Sequence, residues 1–311
     1  MANGKWITGL KPSMAPQDAA QRVLEVRLKA VRAHFRPAVE VRDADVEHVH
    51  QLRVATRRCR AALDIFADVL RSETRDRLRK LLRAIRRAAG PARDADVLLL
   101  DLDERLATAS AEAAAGMHWA AGQLIAQRSL AQQRLEEAYQ ELAPSLERFQ
   151  IETLSGKQLR KTDLGRATLK QMARRLLRQH VADLEAAGRE ARTQEQLHEM
   201  RIAGKRLRYA MEIFGDCFGS AFRRELYPRV EALQEILGTV NDAFNAAKVY
   251  LDMEGSCRRF FPDMWPRWRE GIRVLAAQQR ERRRRALDQF KQFWRQWRKE
   301  GVAARFDAVL G

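Results

Sequence analysis

The chain has 311 residues, 46% hydrophobic and 32% charged, with 58 Lys and Arg against 41 Asp and Glu for a net charge of +17. That apolar fraction excludes a wholly disordered chain, and the length suits one or two domains. Cys59, Cys217 and Cys257 are scattered and form no CxxC pair, which excludes a disulfide framework and points to a reducing, cytoplasmic setting. The opening MANGKWITGLKPSMAP lacks the apolar stretch of a secretion signal, and no apolar run approaches the roughly 18 residues of a membrane helix.

The positive charge is uneven. Residues 1–155 carry 25 basic and 21 acidic residues (net +4), while 156–311 carry 33 and 20 (net +13). Of the basic residues 47 are Arg, whose planar fork grips phosphate through two parallel hydrogen bonds, so the excess favours a phosphate-bearing partner.

Helix is predicted nearly throughout, because Ala, Leu, Arg, Glu and Gln dominate and apolar residues recur at three and four. Eight to ten antiparallel helices are expected. Their breaks are placed at Pro37, Gly90-Pro91, Pro144, Ser155-Gly156, Gly188, Gly215, Gly219, Gly238, Gly255 and the stretch from Pro262 to Pro266. The opening helix carries Arg22 and Arg27. After it, His50 to Phe66 reads HQLRVATRRCRAALDIF. At about 100° per residue, His50, Arg53, Arg57 and Arg60 share one face, and Leu52, Ala55, Cys59, Ala62, Leu63 and Phe66 share the other, with Arg58 on the flank. The next helix, 75–87, places Arg75, Arg79, Arg83 and Arg86 opposite Leu78, Leu81, Leu82 and Ile85.

The second half opens with Lys170, Arg174 and Arg178 and then repeats the motif: His198 to Phe214 reads HEMRIAGKRLRYAMEIF, with eight of seventeen positions identical at an offset of 148. Here His198, Arg201, Lys205 and Arg208 oppose Met200, Ala203, Leu207, Met211 and Phe214, with Arg206 on the flank. The same offset pairs Asp45 with Thr193, Gly90 with Gly238 and Asp94 with Asp242, and one residue further on Trp119-x-x-Gly122 matches Trp268-x-x-Gly271. The chain therefore reads as a tandem duplication, 1–155 and 156–311, of an all-α unit. Two pseudo-symmetric bundles facing across a groove are expected. Symmetry lapses at helix 223–236, which keeps Arg223 but has Tyr227, Glu231 and Gln234 where the first copy has Arg79, Arg83 and Arg86.

Like charges at i, i+4 destabilise a helix, so two matched cation rows call for an anion. The alternative is a solvated face with internal carboxylate partners, for which Asp94 and Asp242 are candidates. Glu47-x-x-His50 and Glu195-x-x-His198 have the spacing of a carboxylate di-metal site. However, Asp45 and Thr193 read as N-caps, Thr193-x-x-Gln196 as a capping box, and neighbouring arginines would repel a cation, so no metal is assigned. No Ser or Cys nucleophile, HD dipeptide or phosphate-cradling Gly loop accompanies the histidines, and a phosphate-donor role suits them better than catalysis. Part of the Arg282 to Arg285 run must be a solvated face, since four successive residues cannot point one way.

At Val49 to Phe66, Leu197 to Phe214, GPARDADVL (Gly90 to Leu98) and LGTVNDAFNAA (Leu237 to Ala247), the sequence resembles the CHAD family, the "conserved histidine α-helical domain". The resemblance implies two four-helix bundles related by a pseudo-two-fold, with a basic channel that binds inorganic polyphosphate, and an association with polyphosphate granules. By position the binding set would be His50, Arg53, Arg57, Arg58 and Arg60 with His198, Arg201, Lys205, Arg206 and Arg208, supported by Asp94 and Asp242. The basic stripes add Arg22, Arg27, Arg79, Arg83, Arg86, Lys170, Arg174 and Arg178. The companion tunnel enzymes carry ExExK; Glu25-Val-Arg27-Leu-Lys29 has Arg at the second Glu, so that catalytic domain is absent. The leading expectation is a cofactor-free, non-enzymatic polyphosphate binder. A nucleic-acid binder ranks second, since Trp265/Trp268 and Trp294/Trp297 are spaced for core or interface packing. A polyphosphate phosphohydrolase ranks third.

Overall fold

A computed structural model describes residues 4–40, 46–160 and 167–311. Asp45, expected as an N-cap, lies outside them. Among the described residues nine α-helices run in order: α1 (Pro16–Glu40), α2 (Glu47–Ile65), α3 (Ser72–Leu106), α4 (Ala111–Leu154), α5 (Leu169–Glu190), α6 (Gln194–Phe214), α7 (Tyr227–Phe260), α8 (Trp265–Lys299) and α9 (Val302–Leu310). The lengths of α1–α4, at 25, 19, 35 and 44 residues, parallel the 22, 21, 34 and 35 of α5–α8. The only β pairing among the described residues is an isolated bridge between Leu70 and Leu159.

Capping chemistry starts the second set where the sequence places it. Thr193 and Gln196 close a reciprocal capping box on α6, as Thr168 and Gln171 do on α5. Glu47 and Glu195 occupy first helical turns, where acids complement the helix dipole. Several expected breaks are absent, because Pro37, Gly90-Pro91, Pro144, Gly188, Gly238 and Gly255 all lie inside helices. An interior Pro loses one backbone bond. Around Gly90-Pro91 that loss is offset by burial of Ala89, Gly90 and Ala92, which carries α3 through without interruption.

α1–α4 pack around one another, and α6 bridges α5 to α7, which pairs with α8. The second set closes through aromatic contacts: Trp294 and Trp297, buried and stacked at 5.6 Å, lie against α5, and the Trp297 indole N–H donates to Glu185 at 2.7 Å. The sets meet along α2/α6 and α4/α8, and repeat-related residues touch each other there. Phe66 and Phe214 pack edge to face at 6.3 Å, and Trp119 stacks on Trp268 at 5.3 Å. At the α4/α8 crossing the backbones come so close that a Cβ on Gly271 would strike the Ala113 carbonyl, and one on Gly116 the Trp268 carbonyl. The partner of Gly271 is thus Gly116; Gly122, its counterpart in the repeat, faces open space. One large apolar core includes residues from both sets, so neither packs as an isolated unit.

Candidate polyanion cleft

The apolar backs of α2 and α6 are buried as their periodicity requires: Leu52, Ala55, Cys59, Ala62 and Leu63 on one, Met200, Ala203, Leu207, Met211 and Phe214 on the other. Packing α2 on α6 brings the two cation faces together. They border a cleft of about 540 Å³ lined by Arg57, Arg60, Asp64, Arg79 and Arg86 from α2 and α3, and by His180, His198, Arg201, Lys205, Arg206 and Tyr209 from α5 and α6.

Seven cations and one carboxylate line this cleft, and the carboxylate, Asp64, pairs with Arg79 at 3.0 Å. Among the described residues no carboxylate pairs with Arg57, Arg60, Arg86, Arg201, Lys205 or Arg206. The Nε atoms of Arg57 and Arg201 are buried without an acceptor. Burial, followed by the charges of Arg201, Arg57 and Arg208, pulls the Lys205 ammonium down to about 7, against a partial upward pull from Asp242. Burial likewise lowers Arg201, with Asp242 opposing and Arg57 adding to the fall. Arg86 is lowered by burial and by Arg60, Arg57 and Arg83. These are the signs of a site that concentrates positive charge without neutralising it.

At one end of α2, Arg53 lies 3.7 Å from Asp94. The Asp94 carboxyl is raised by desolvation and by the nearby Asp242, against the lowering pull of Arg53. The two acids therefore sit beside the cations they are predicted to support. His50 is held low by burial and by Arg93, so protonation there opposes existing positive charge.

Other predicted site residues point elsewhere. Arg58 reaches across to α6 and grips Glu212 with two bonds, 2.7 and 3.2 Å. Glu212 is fully buried and also draws Arg208 (3.8 Å), Arg27 (3.9 Å) and the Tyr227 hydroxyl (3.0 Å). Burial pulls the Arg27 guanidinium down to about 10. Arg174 and Arg178 donate to the Leu310 and Gly311 carbonyls and hold α9 in place. Arg22 and Arg83 are exposed, Lys170 is half-buried at the start of α5, and none of the three lines the cleft. Sequence reasoning missed His180, Tyr209 and Asp64. Asp64 was findable, since the 148 offset pairs it with Glu212; His180 and Tyr209 carry no such signal.

A larger depression of about 660 Å³ lies between α3, α7 and α8, but its cations are paired: Arg105 and Arg282 with Asp101, and Arg285 with Glu281. Each Arg of the 282–285 run has an intramolecular partner, Arg284 sharing Glu281 with Arg285, and Arg283 lying on Gln194 and over Phe244. No group of three or more His, Cys, Asp or Glu among the described residues is arranged to hold a metal, and no helix there is long and apolar enough to cross a membrane.

The CHAD domain model matches residues 22–250, spanning both motif copies and all the cleft residues. The chain belongs to the CHAD family. No curated protein matches it. Among solved structures, the crystal structure of the CHAD domain from the plant Ricinus communis is similar, with a TM-score of 0.73 at 23% identity over 94% of this chain and 95% of that one. PptA from Streptomyces chartreusis is similar with a TM-score of 0.62 at 19% identity over 92% and 100%. At such identities the likeness establishes the all-α CHAD fold, and the cleft of this CHAD chain has to be argued from its own residues.

Proposed function

We propose that this CHAD chain is a non-enzymatic binder of inorganic polyphosphate, holding the linear polyanion in the cleft between α2 and α6. The observation that carries the reading is the set of six cleft cations with no carboxylate partner. Arg57, Arg60, Arg86, Arg201 and Arg206 offer forked donors to phosphate oxygens, and Lys205 adds a point charge. Tyr209 and the histidines add neutral or protonated donors to the lining. The CHAD resemblance implies the same ligand, and association with polyphosphate granules would follow from that affinity.

Chemistry on the phosphate is disfavoured by the residues present. All three thiols are buried, and burial pushes Cys59 up to about 12 and Cys217 up to about 11, out of range for a thiolate nucleophile. The indoles of Trp294 and Trp297 are packed inside, so base stacking would have to come from elsewhere.

The test is a competition. Labelled long-chain polyphosphate is bound, then challenged with unlabelled polyphosphate, duplex DNA and single-stranded RNA at matched phosphate concentration. Polyphosphate alone should displace the probe efficiently; equal displacement by nucleic acid would transfer the cleft to a general polyanion binder. Phosphate release with Mg²⁺ or Mn²⁺ would establish an enzyme instead.

A further inference from the structure

The 148-residue offset assigns part of the open cleft's wall a counterpart at a second place, while Arg57 and Lys205, which it pairs with each other, share the open cleft. Asp64 corresponds to Glu212, Arg206 to Arg58, Arg60 to Arg208, and Arg79 to Tyr227. Asp64 receives Arg79 at an open surface. Glu212 receives Arg58 and Tyr227 at a fully buried one. The difference is the N-terminal segment before α1, which lies over the second constellation.

Its contacts fall on the cations and aromatic side chains of that constellation. Arg27, buried to 2% exposure, donates to the main-chain carbonyls of Gly4 and Lys5. Trp6 packs tilted against Tyr227 at 4.7 Å between ring centroids, lies 4.6 Å beneath the Arg223 guanidinium, and covers Gly215, where a Cβ would come within 2.8 Å of its ring. Lys5 pairs with Glu231 at 2.8 Å. Tyr227 and Glu231 stand where the first copy has Arg79 and Arg83, so the lapse in the repeat falls on the side chains that hold this segment. The hold is nevertheless incomplete: the Nε atoms of Arg27, Arg208 and Arg223 are buried without an acceptor. The segment is irregular and tied to the buried acid's helix by the Ile7 amide on the Glu212 carbonyl, 3.2 Å.

We propose that the constellation around Glu212 is a second phosphate-polyanion half-site, which the chain's own N-terminal residues fill with backbone carbonyls and which a polyanion occupies by displacing them. The proposal rests on the reading of the open cleft as a polyanion site. It makes the folded chain one-sided, with one cleft ready and its mirror closed. Releasing Lys5 and Trp6 uncovers Arg27 and Arg223; among the described residues the acids paired with them or with Lys5 are Glu212, Asp216 and Glu231.

The experiment counts tripolyphosphate molecules bound by calorimetry to the full-length chain and to full-length Lys5→Ala/Trp6→Ala, with far-ultraviolet dichroism as the fold control. One tight site is expected for the unaltered protein, with a second filling only at excess as the segment is displaced, and two tight sites for the variant. A folded variant that still has one tight site overturns the proposal. Should the variant fail to fold, amide exchange on the unaltered protein decides: residues 4–14 lose protection at excess tripolyphosphate if the segment is displaced, and unchanged or increased protection overturns displacement. If the unaltered chain binds no tripolyphosphate, the failure belongs to the open-cleft reading, from which this inference starts.

Discussion

Raising the pH should weaken polyanion binding through Lys205. Its ammonium, buried among Arg57, Arg201 and Arg208, is lowered from 10.5 to about 7, a difference that corresponds to roughly 5 kcal/mol at most against charging it in the empty cleft. A bound phosphate chain supplies the missing negative charge and favours the protonated form, so binding above about pH 7 takes up a proton. If the anion restores the ordinary value, affinity falls by up to about tenfold per pH unit from about pH 7 upward, or roughly 100-fold by pH 9. Calorimetry at about pH 8 in buffers of different ionisation enthalpy should report close to one proton taken up per anion. Lys205→Arg, which stays charged, should bind at high pH as it does at low pH, and Lys205→Met should bind weakly throughout. Identical pH slopes for the native chain and Lys205→Arg would refute the assignment. Without ligand the same residue destabilises the fold: the cost is complete below about pH 7 and fades as pH rises toward 10.5, because over that window the unfolded chain holds a proton that the folded one does not. Thermal unfolding of Lys205→Met at about pH 6 should therefore show a raised Tm.

Other outcomes follow from the same geometry. Glu212→Gln leaves Arg27, Arg58 and Arg208 without their acid in the interior and should lower stability by about 3–5 kcal/mol in denaturant unfolding, whereas Asp64→Asn, at its exposed counterpart, should cost under about 1 kcal/mol and tighten anion binding by releasing Arg79. Arg60→Ala and Arg86→Ala should each weaken polyphosphate binding by about 1.5–3 kcal/mol with unchanged or slightly higher Tm, since they remove unpaired like charges. Gly271→Ala should lower Tm sharply through collision with the Ala113 carbonyl, while Gly122→Ala, facing open space, should raise helix stability by about 1 kcal/mol at most.

The cation rows, their apolar backs, the capping box at Thr193 and the core role of Trp294 and Trp297 were legible because each is a local pattern on one helix. Helix ends were less so. Gly and Pro weaken a helix by amounts that packing of a long helix can override, as at Gly90-Pro91 in α3. Which of the predicted cations face the cleft was legible only in part: all seven that line it were in the predicted set, but so were several that do not. Arg58 and Arg60 are two residues apart, yet Arg58 turns to Glu212, 154 positions away, and Arg60 turns to the open cleft. That choice depends on the packing of α2 on α6. The role of the opening residues was hidden for the same reason, since Trp6 gains meaning only beside Tyr227 and Arg223.

The most direct test of the central claim is polyphosphate binding by the chain with Arg57, Arg60, Arg201 and Lys205 all replaced by Ala, measured against the native protein across a salt series. The account predicts that the variant folds with native helicity, loses nearly all affinity, and shows a shallower dependence of log affinity on log salt, because fewer phosphates are neutralised. A folded variant that binds polyphosphate as tightly as the native chain, with the same salt slope, would contradict it.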